Sequence, residues 1–280
     1  MPTNLKGWHH GERAIQGKLG FGDAVRMSYT YITSYMPEQH RAFHTSNIPF
    51  IPVAILDEDG RPWGSVFAGK SGEIGFVKSA DECSMSMDLA TWEGDPLLKG
   101  LNGRRDEIGR VLVAGVGVEL STRRRNKFAG WVESSSINGT DVRLNIHVNQ
   151  AIGFVQRPPG PTLTRNNTYS RNCPKYISIR DLTPTAKTNP QVAYQNLRLG
   201  QGDRLPDNLS SFIHEADTVF LGTSYVAPPE SAKDFPSHVG MNHRGGLPGF
   251  IRVKPGDGRT VVLPDFSGKS PYARVRIHPF

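Results

Sequence analysis

Two turn signals do most to limit what this chain can fold into. Asp57, Glu58, Asp59 and Gly60 stand between an apolar run at 51–56 and a second run at 61–67, and Asn138-Gly139 leads into residues 141–148. Short polar turns that end in glycine and join strand-like runs are hairpin chemistry, because glycine takes the positive φ a tight reversal needs. Further strand-like segments lie at 73–78, 84–89, 110–120 and 127–133. Helical signals are short: residues 12–19 before Gly20, and a segment from Met36 or Pro37 to Phe43. Pro37 suits a first helical turn and Glu38 the positive end of the helix. Five or six strands opening on a hairpin predict a small antiparallel barrel, in a mainly β chain with a few short helices.

A later stretch repeats this order. Residues 205–216 read as a helix and 218–224 as an apolar strand, parallel to the helix and strand over 36–56. Ser71-Gly-Glu-Ile-Gly75-Phe76 has a counterpart in Gly245-Gly246-Leu-Pro-Gly249-Phe250, and a turn at 255–258 leads into a run at 259–263. Two copies of one barrel unit account for the pattern.

The chemistry concentrates at 238–253. His243, Arg244, Gly245 and Gly246 lie between the strand-like runs at 217–224 and 250–253. Two adjacent glycines let a backbone bend closely around an anion, and a guanidinium pairs with its charge, so the stretch reads as a binding loop rather than a solvated one. A net charge of +7 and a pI near 9.5 suit an anionic partner. The dense basic cluster at 123–127 reads as a solvated strand edge, with phosphate contact the sharper alternative. One such cluster without an aromatic-rich RNA-binding signature is a poor footprint for nucleic acid, which is not an expected partner.

Other chemistries find little support. Cys83 and Cys173 lack zinc-finger spacing and are expected as reduced thiols, with Cys173, between Asn172 and Pro174, read as packing. His9, His10 and Glu12 lack the His-x-x-x-His spacing, and no metal is expected. Glu12 and Gln16, one helical turn apart, should orient the N-terminal segment against the barrel. No G-x-S-x-G elbow and no glycine-rich dinucleotide or phosphate loop occurs. With no run of about eighteen apolar residues and no signal-peptide core, the expected location is the cytoplasm, away from membranes.

Trp8-His-x-Gly11-Glu12-x-x-x-Gln16, Arg123-Arg-Arg-Asn126, Asn172-Cys-Pro-Lys-Tyr176, His243-Arg-Gly-Gly-x-Pro-Gly-Phe250 and Pro264-Asp265-Phe266-x-Gly268 follow one another over most of the chain. As an ordered set they resemble the predicted flavin-nucleotide-binding proteins of the pyridoxamine 5'-phosphate oxidase-like superfamily, in a fungal-type version. The resemblance implies FMN-binding split β-barrels, usually dimeric, with the flavin between subunits and its phosphate met by basic and hydroxyl side chains. By position it places His243, Arg244 and the Gly245-Gly246 backbone against the flavin or a substrate. Asp265 and Ser267 would begin the segment that approaches the phosphate, and Asn172 and Lys175 would form a second polar group. The implied activity is that of an FMN-dependent oxidoreductase of unknown substrate, the flavin supplying the chemistry. The alternatives are a non-catalytic flavin or haem module and an inactive truncated isoform.

Two segments depart from the family pattern. Residues 154–171 separate Gln150-Ala-Ile-Gly153 from Asn172, and residues 269–280 replace the family's further strands. Both can be encoded with splice-like signals: a GTAAGT donor across 268–270, and branch-point and acceptor sequences within 162–170. Translated introns are therefore one expectation. The expected organisation is an N-terminal extension (1–35), a first split-barrel unit (36–182, with the 154–171 insertion) and a second, truncated unit (205–280). An incomplete second unit leaves an unpaired sheet edge, so weak or absent FMN binding is expected.

Overall fold

The Asp57 side chain shows how the first hairpin closes. It accepts from the backbone N–H of Arg61 at 2.9 Å, from Arg61 Nε at 2.7 Å and from Trp63 Nε1 at 2.9 Å. Gly60 supplies the left-handed residue of the turn, at φ 79°. The computed structural model describes residues 5–153, 176–185 and 188–264. In chain order these form α1 (His10–Lys18), α2 (Gly22–Val25), a 3₁₀ turn (Ser28–Tyr31), α3 (Glu38–Ser46), β1 (Phe50–Leu56), β2 (Pro62–Ala68), β3 (Val77–Lys78) and β4 (Ser84–Ala90). Next come α4 (Pro96–Gly100), β5 (Val111–Glu119), β6 (Arg124–Asn138) and β7 (Asp141–Ile152). Further along follow α5 (Asp207–Glu215), β8 (Thr218–Tyr225), β9 (His238–Gly245), β10 (Arg252–Val253) and β11 (Val261–Val262).

β1 to β7 make one antiparallel sheet in the order β2-β1-β5-β6-β7-β4-β3. The sheet curls until β2 and β4 come into contact; the result is a half-barrel, consistent with the mainly β, split-barrel fold expected of the chain. Alternate residues point inward. Ile51, Val53 and Ile55 of β1 meet Met85, Met87 and Leu89 of β4 and Val142, Leu144 and Ile146 of β7 in a buried core. Each such side chain stabilises the fold by about 1.5–3 kcal/mol relative to its exposed state.

β5 explains a second layer. Its sequence Val-Leu-Val-Ala-Gly-Val-Gly-Val is buried over all eight residues, and such a continuous run needs cover on both faces of the sheet. The outward side chains Leu112, Ala114, Val116 and Val118 pack with Ala54 of β1 and with Val239 and Met241 of β9. The β8–β9 hairpin thus lies on the outside of the curled sheet. A Cβ on Gly222 of β8 would sit 3.1 Å from the Ala54 side chain, so the two strands cross there at close range.

Three readings need correction. The proposed binding loop at 238–253 is largely strand: residues 238–245 pair in full register with β8, because Val239, Met241 and His243 alternate towards the sheet. The run at 73–78 gives a strand of only two residues, since Gly75 adopts φ 101° and breaks the extension. The runs at 250–253 and 259–263 likewise shrink to the two-residue strands β10 and β11, paired with each other.

The N-terminal segment is tied down. Trp8 Nε1 donates to Val25 O at 2.9 Å, Lys6 pairs with Asp234, and the His9 ring meets Tyr225 and Phe235. Gln16 is 3% exposed, while Glu12 accepts from the His9 backbone N–H at 3.0 Å and caps α1. Glu12 therefore orders the helix start, and Gln16 is the residue of that pair that packs inward.

Candidate functional site

The strand periodicity of β9 carries His243 to the same face as Val239 and Met241, towards the sheet. On β6, Arg125 and Lys127 share the outward face with Ala129 of the outer core. Two basic stretches more than a hundred residues apart therefore meet. Arg125 Nη1 lies 3.4 Å from His243 Nδ1 and 3.5 Å from its carbonyl oxygen. Lys127 Nζ donates to Asn242 Oδ1 at 2.6 Å, and Arg244 Nη1 donates to the His243 carbonyl at 3.2 Å.

His243 is 3% exposed. Burial lowers its pKa to about 3; the Arg125 and Arg244 guanidiniums push the same way, and Asp217 opposes them. The ring is neutral at pH 7. A guanidinium can only donate, so Nδ1 accepts from Arg125 and the proton sits on Nε2. That nitrogen is buried and has no hydrogen-bond partner among the described residues. Phe220, directly across the β8–β9 ladder, contacts the ring at 5.6 Å between centroids. Burial acts to raise the Asp217 pKa, but hydrogen bonding from the Thr218 side chain, the Arg180 guanidinium and Ser178 Oγ together keep the carboxyl below its usual range.

Gly245 and Gly246 have a different use from the one expected of a loop. A Cβ on Gly245 would fall 1.9 Å from the Tyr176 carbonyl oxygen, and one on Gly246 would fall 2.6 Å from the Phe250 ring. Neither glycine has a positive φ. Both admit other parts of the chain.

Of the expected site residues, His243 and Arg244 come together with Gly245 next to them. Asn172, Lys175, Asp265 and Ser267, and Cys173 with them, lie outside the described residues. Arg125 and Lys127 emerge from the basic cluster, while Arg123 turns the chain at φ 61° and is exposed. Asn242 and Asp217 were not singled out in the sequence, and only the hairpin register could have pointed to Asn242. Among the described residues no group of three or more His, Cys, Asp or Glu could hold a metal ion, and no helix is long and apolar enough to cross a membrane.

This arrangement offers several cationic donors and one neutral imidazole donor at a junction between strands, which is suited to an oxygen-rich anion such as a phosphate ester. No family model matches the chain, and no curated protein matches it. Among solved structures, an F420 reductase aligns with a TM-score of 0.29 at 9% identity, over 41% of this chain and 98% of that one. The styrene monooxygenase flavin reductase SMOB from Pseudomonas putida S12 aligns with a TM-score of 0.27 at 10% identity, over 40% of this chain and 83% of that one. Neither similarity assigns this chain a cofactor.

Proposed function

We propose that this protein binds a flavin nucleotide, FMN, with the weak affinity that an incomplete second unit implies, and acts as an oxidoreductase-like protein of the split-barrel group, as a cytoplasmic homodimer with a small-molecule substrate. The carrying observation is the meeting of Arg125, Lys127, His243 and Arg244 from two distant segments. These residues fit the group: the guanidiniums and the ammonium match a phosphate, and the buried His243 Nε2–H lacks an acceptor among the described residues. When bound, FMN would supply hydride and electron chemistry. The chain's part is to bind and orient it. Arg125 and Lys127 would meet the phosphate, and the neutral imidazole would donate a hydrogen bond without adding charge.

The test is a titration of FMN into the purified protein, read by quenching of flavin fluorescence. Charge-assisted hydrogen bonds contribute about 1.5–3 kcal/mol, so Arg125→Ala and Lys127→Ala should each weaken binding about tenfold or more. Riboflavin, which lacks the phosphate, should bind weakly. Equal affinity for FMN and riboflavin, or unchanged binding in both variants, would refute the reading. Bleaching of the bound flavin by NADH or NADPH would favour an enzyme, and binding without reduction a non-catalytic module. By light scattering, the expected mass is that of two 30.9 kDa chains.

A further inference from the structure

The outer layer has a second opening at the end away from His243. It lies where the last residue of β1, the start of β5 and the end of β8 converge, and it encloses about 250 Å³. Leu56, Leu112, Tyr225, Val226 and Ala227 supply apolar walls, and Arg104 and Arg105 stand among the polar lining residues.

The charges here are unevenly matched. Asp106 is held by Arg110, with Nη2 at 2.7 Å, and by the backbone N–H groups of Ile108 and Arg110. Glu107 accepts from Ser237 through both its backbone N–H, at 3.1 Å, and its hydroxyl. Among the described residues, Arg105 Nη1 donates only to the neutral carbonyl of Gly109, at 3.0 Å. The Arg104 guanidinium has no hydrogen-bond or ion-pair partner among the described residues. It is placed by packing instead, lying across Gly60, where a Cβ would come within 2.9 Å of Arg104 Cδ and 3.2 Å of its Nη1. Two guanidiniums thus stand against the single carboxylate of Glu107, which already accepts two hydrogen bonds.

The wall that carries Arg104 is firm. Arg104 N–H donates to the Asp57 carbonyl at 2.9 Å, and a Cβ on the preceding Gly103 would overlap the Leu56 carbonyl oxygen. A guanidinium fork on a firm wall recognises a planar carboxylate in two-point fashion. The volume falls below the roughly 300–1,000 Å³ of pockets for drug-sized ligands, so it suits one ring or a short branched chain rather than a nucleotide.

We propose that this pocket binds a small monocarboxylate with an apolar body, aryl or branched alkyl, its carboxylate on Arg104 and Arg105 and its body against Leu56, Leu112 and Val226. The site is separate from the His243 cluster and does not depend on the flavin reading.

Benzoate is the probe, titrated calorimetrically into the full-length protein, with benzyl alcohol as its uncharged counterpart. Benzoate should bind saturably, and benzyl alcohol about tenfold more weakly or worse. Arg104→Gln and Arg105→Gln, both at exposed positions that leave the fold intact, should each weaken benzoate about tenfold. Val226→Trp, which fills the cavity, should abolish binding, while Arg125→Gln should leave it unchanged. No saturable benzoate heat, equal binding of benzyl alcohol, or loss in Arg125→Gln but not in Arg104→Gln would overturn the proposal.

Discussion

His44 and His243 are both imidazoles taken out of water, and burial acts on each in the same direction. The His44 pKa falls to about 3, first through burial and then through the charge of His40 one helical turn away. Both ring nitrogens of His44 are buried without a hydrogen-bond partner among the described residues, and the ring rests edge-on against Phe43 and Phe128. A folded pKa below the unfolded 6.5 means that the unfolded chain takes up the proton first. Stability is complete above about pH 6.5 and is lost as pH falls towards 3. Each histidine can contribute up to one proton to that slope, about 1.4 kcal/mol per pH unit. His44→Leu should therefore flatten the acid limb by one proton and leave stability at pH 7 unchanged or higher, because two unpaired nitrogens disappear. Urea unfolding at pH 7 and pH 4.5 reads this out; an identical loss in variant and parent would contradict it. The spacing of His40 and His44 puts them on one face of α3 in any reading. That this face is buried was not legible, because Glu-Gln-His-Arg-Ala-Phe-His-Thr-Ser looks like a solvated helix.

At the level of elements, α1 shows a local signal that tertiary contacts leave intact. His9 and Glu12 form a reciprocal cap: His9 Nδ1 accepts from Gly11 N–H at 3.2 Å, and Glu12 accepts from His9 N–H. Glu12→Ala should cost about 0.5–2 kcal/mol, whereas Glu12→Gln keeps an acceptor and should cost much less. Equal losses in chemical denaturation would show that the cap is not what Glu12 contributes. The β1–β2 and β6–β7 hairpins were similarly readable, since Gly60 and Gly139 both adopt positive φ at their turns. β9 was not. His-Val-Gly-Met-Asn-His-Arg-Gly is poor in strand formers and rich in glycine, and it is a strand because β8 and the outer face of the sheet hold it. A loop was the natural inference from such residues, and His243 consequently turned out to be buried rather than exposed.

For the molecule as a whole, the two cores share strands: β1 and β5 give one face to each. A loss in either core should therefore be felt by the same cooperative unit. Leu144→Ala in the inner core and Met241→Ala in the outer one should each lower a single thermal transition, by about 2–5 kcal/mol. A separate early transition confined to Met241→Ala would show that the β8–β9 layer melts on its own. The mainly antiparallel character and the strand order within each hairpin follow from turn residues and alternation, which are local properties of the chain. The eight-residue apolar stretch of β5 even signals that the sheet must be covered on both faces. What covers it, and which cations end up beside His243, depends on contacts between residues 124–127 and 238–245. Nothing local encodes that pairing: Arg125 and His243 meet only because burying the outer face of β5 brings β9 down onto it.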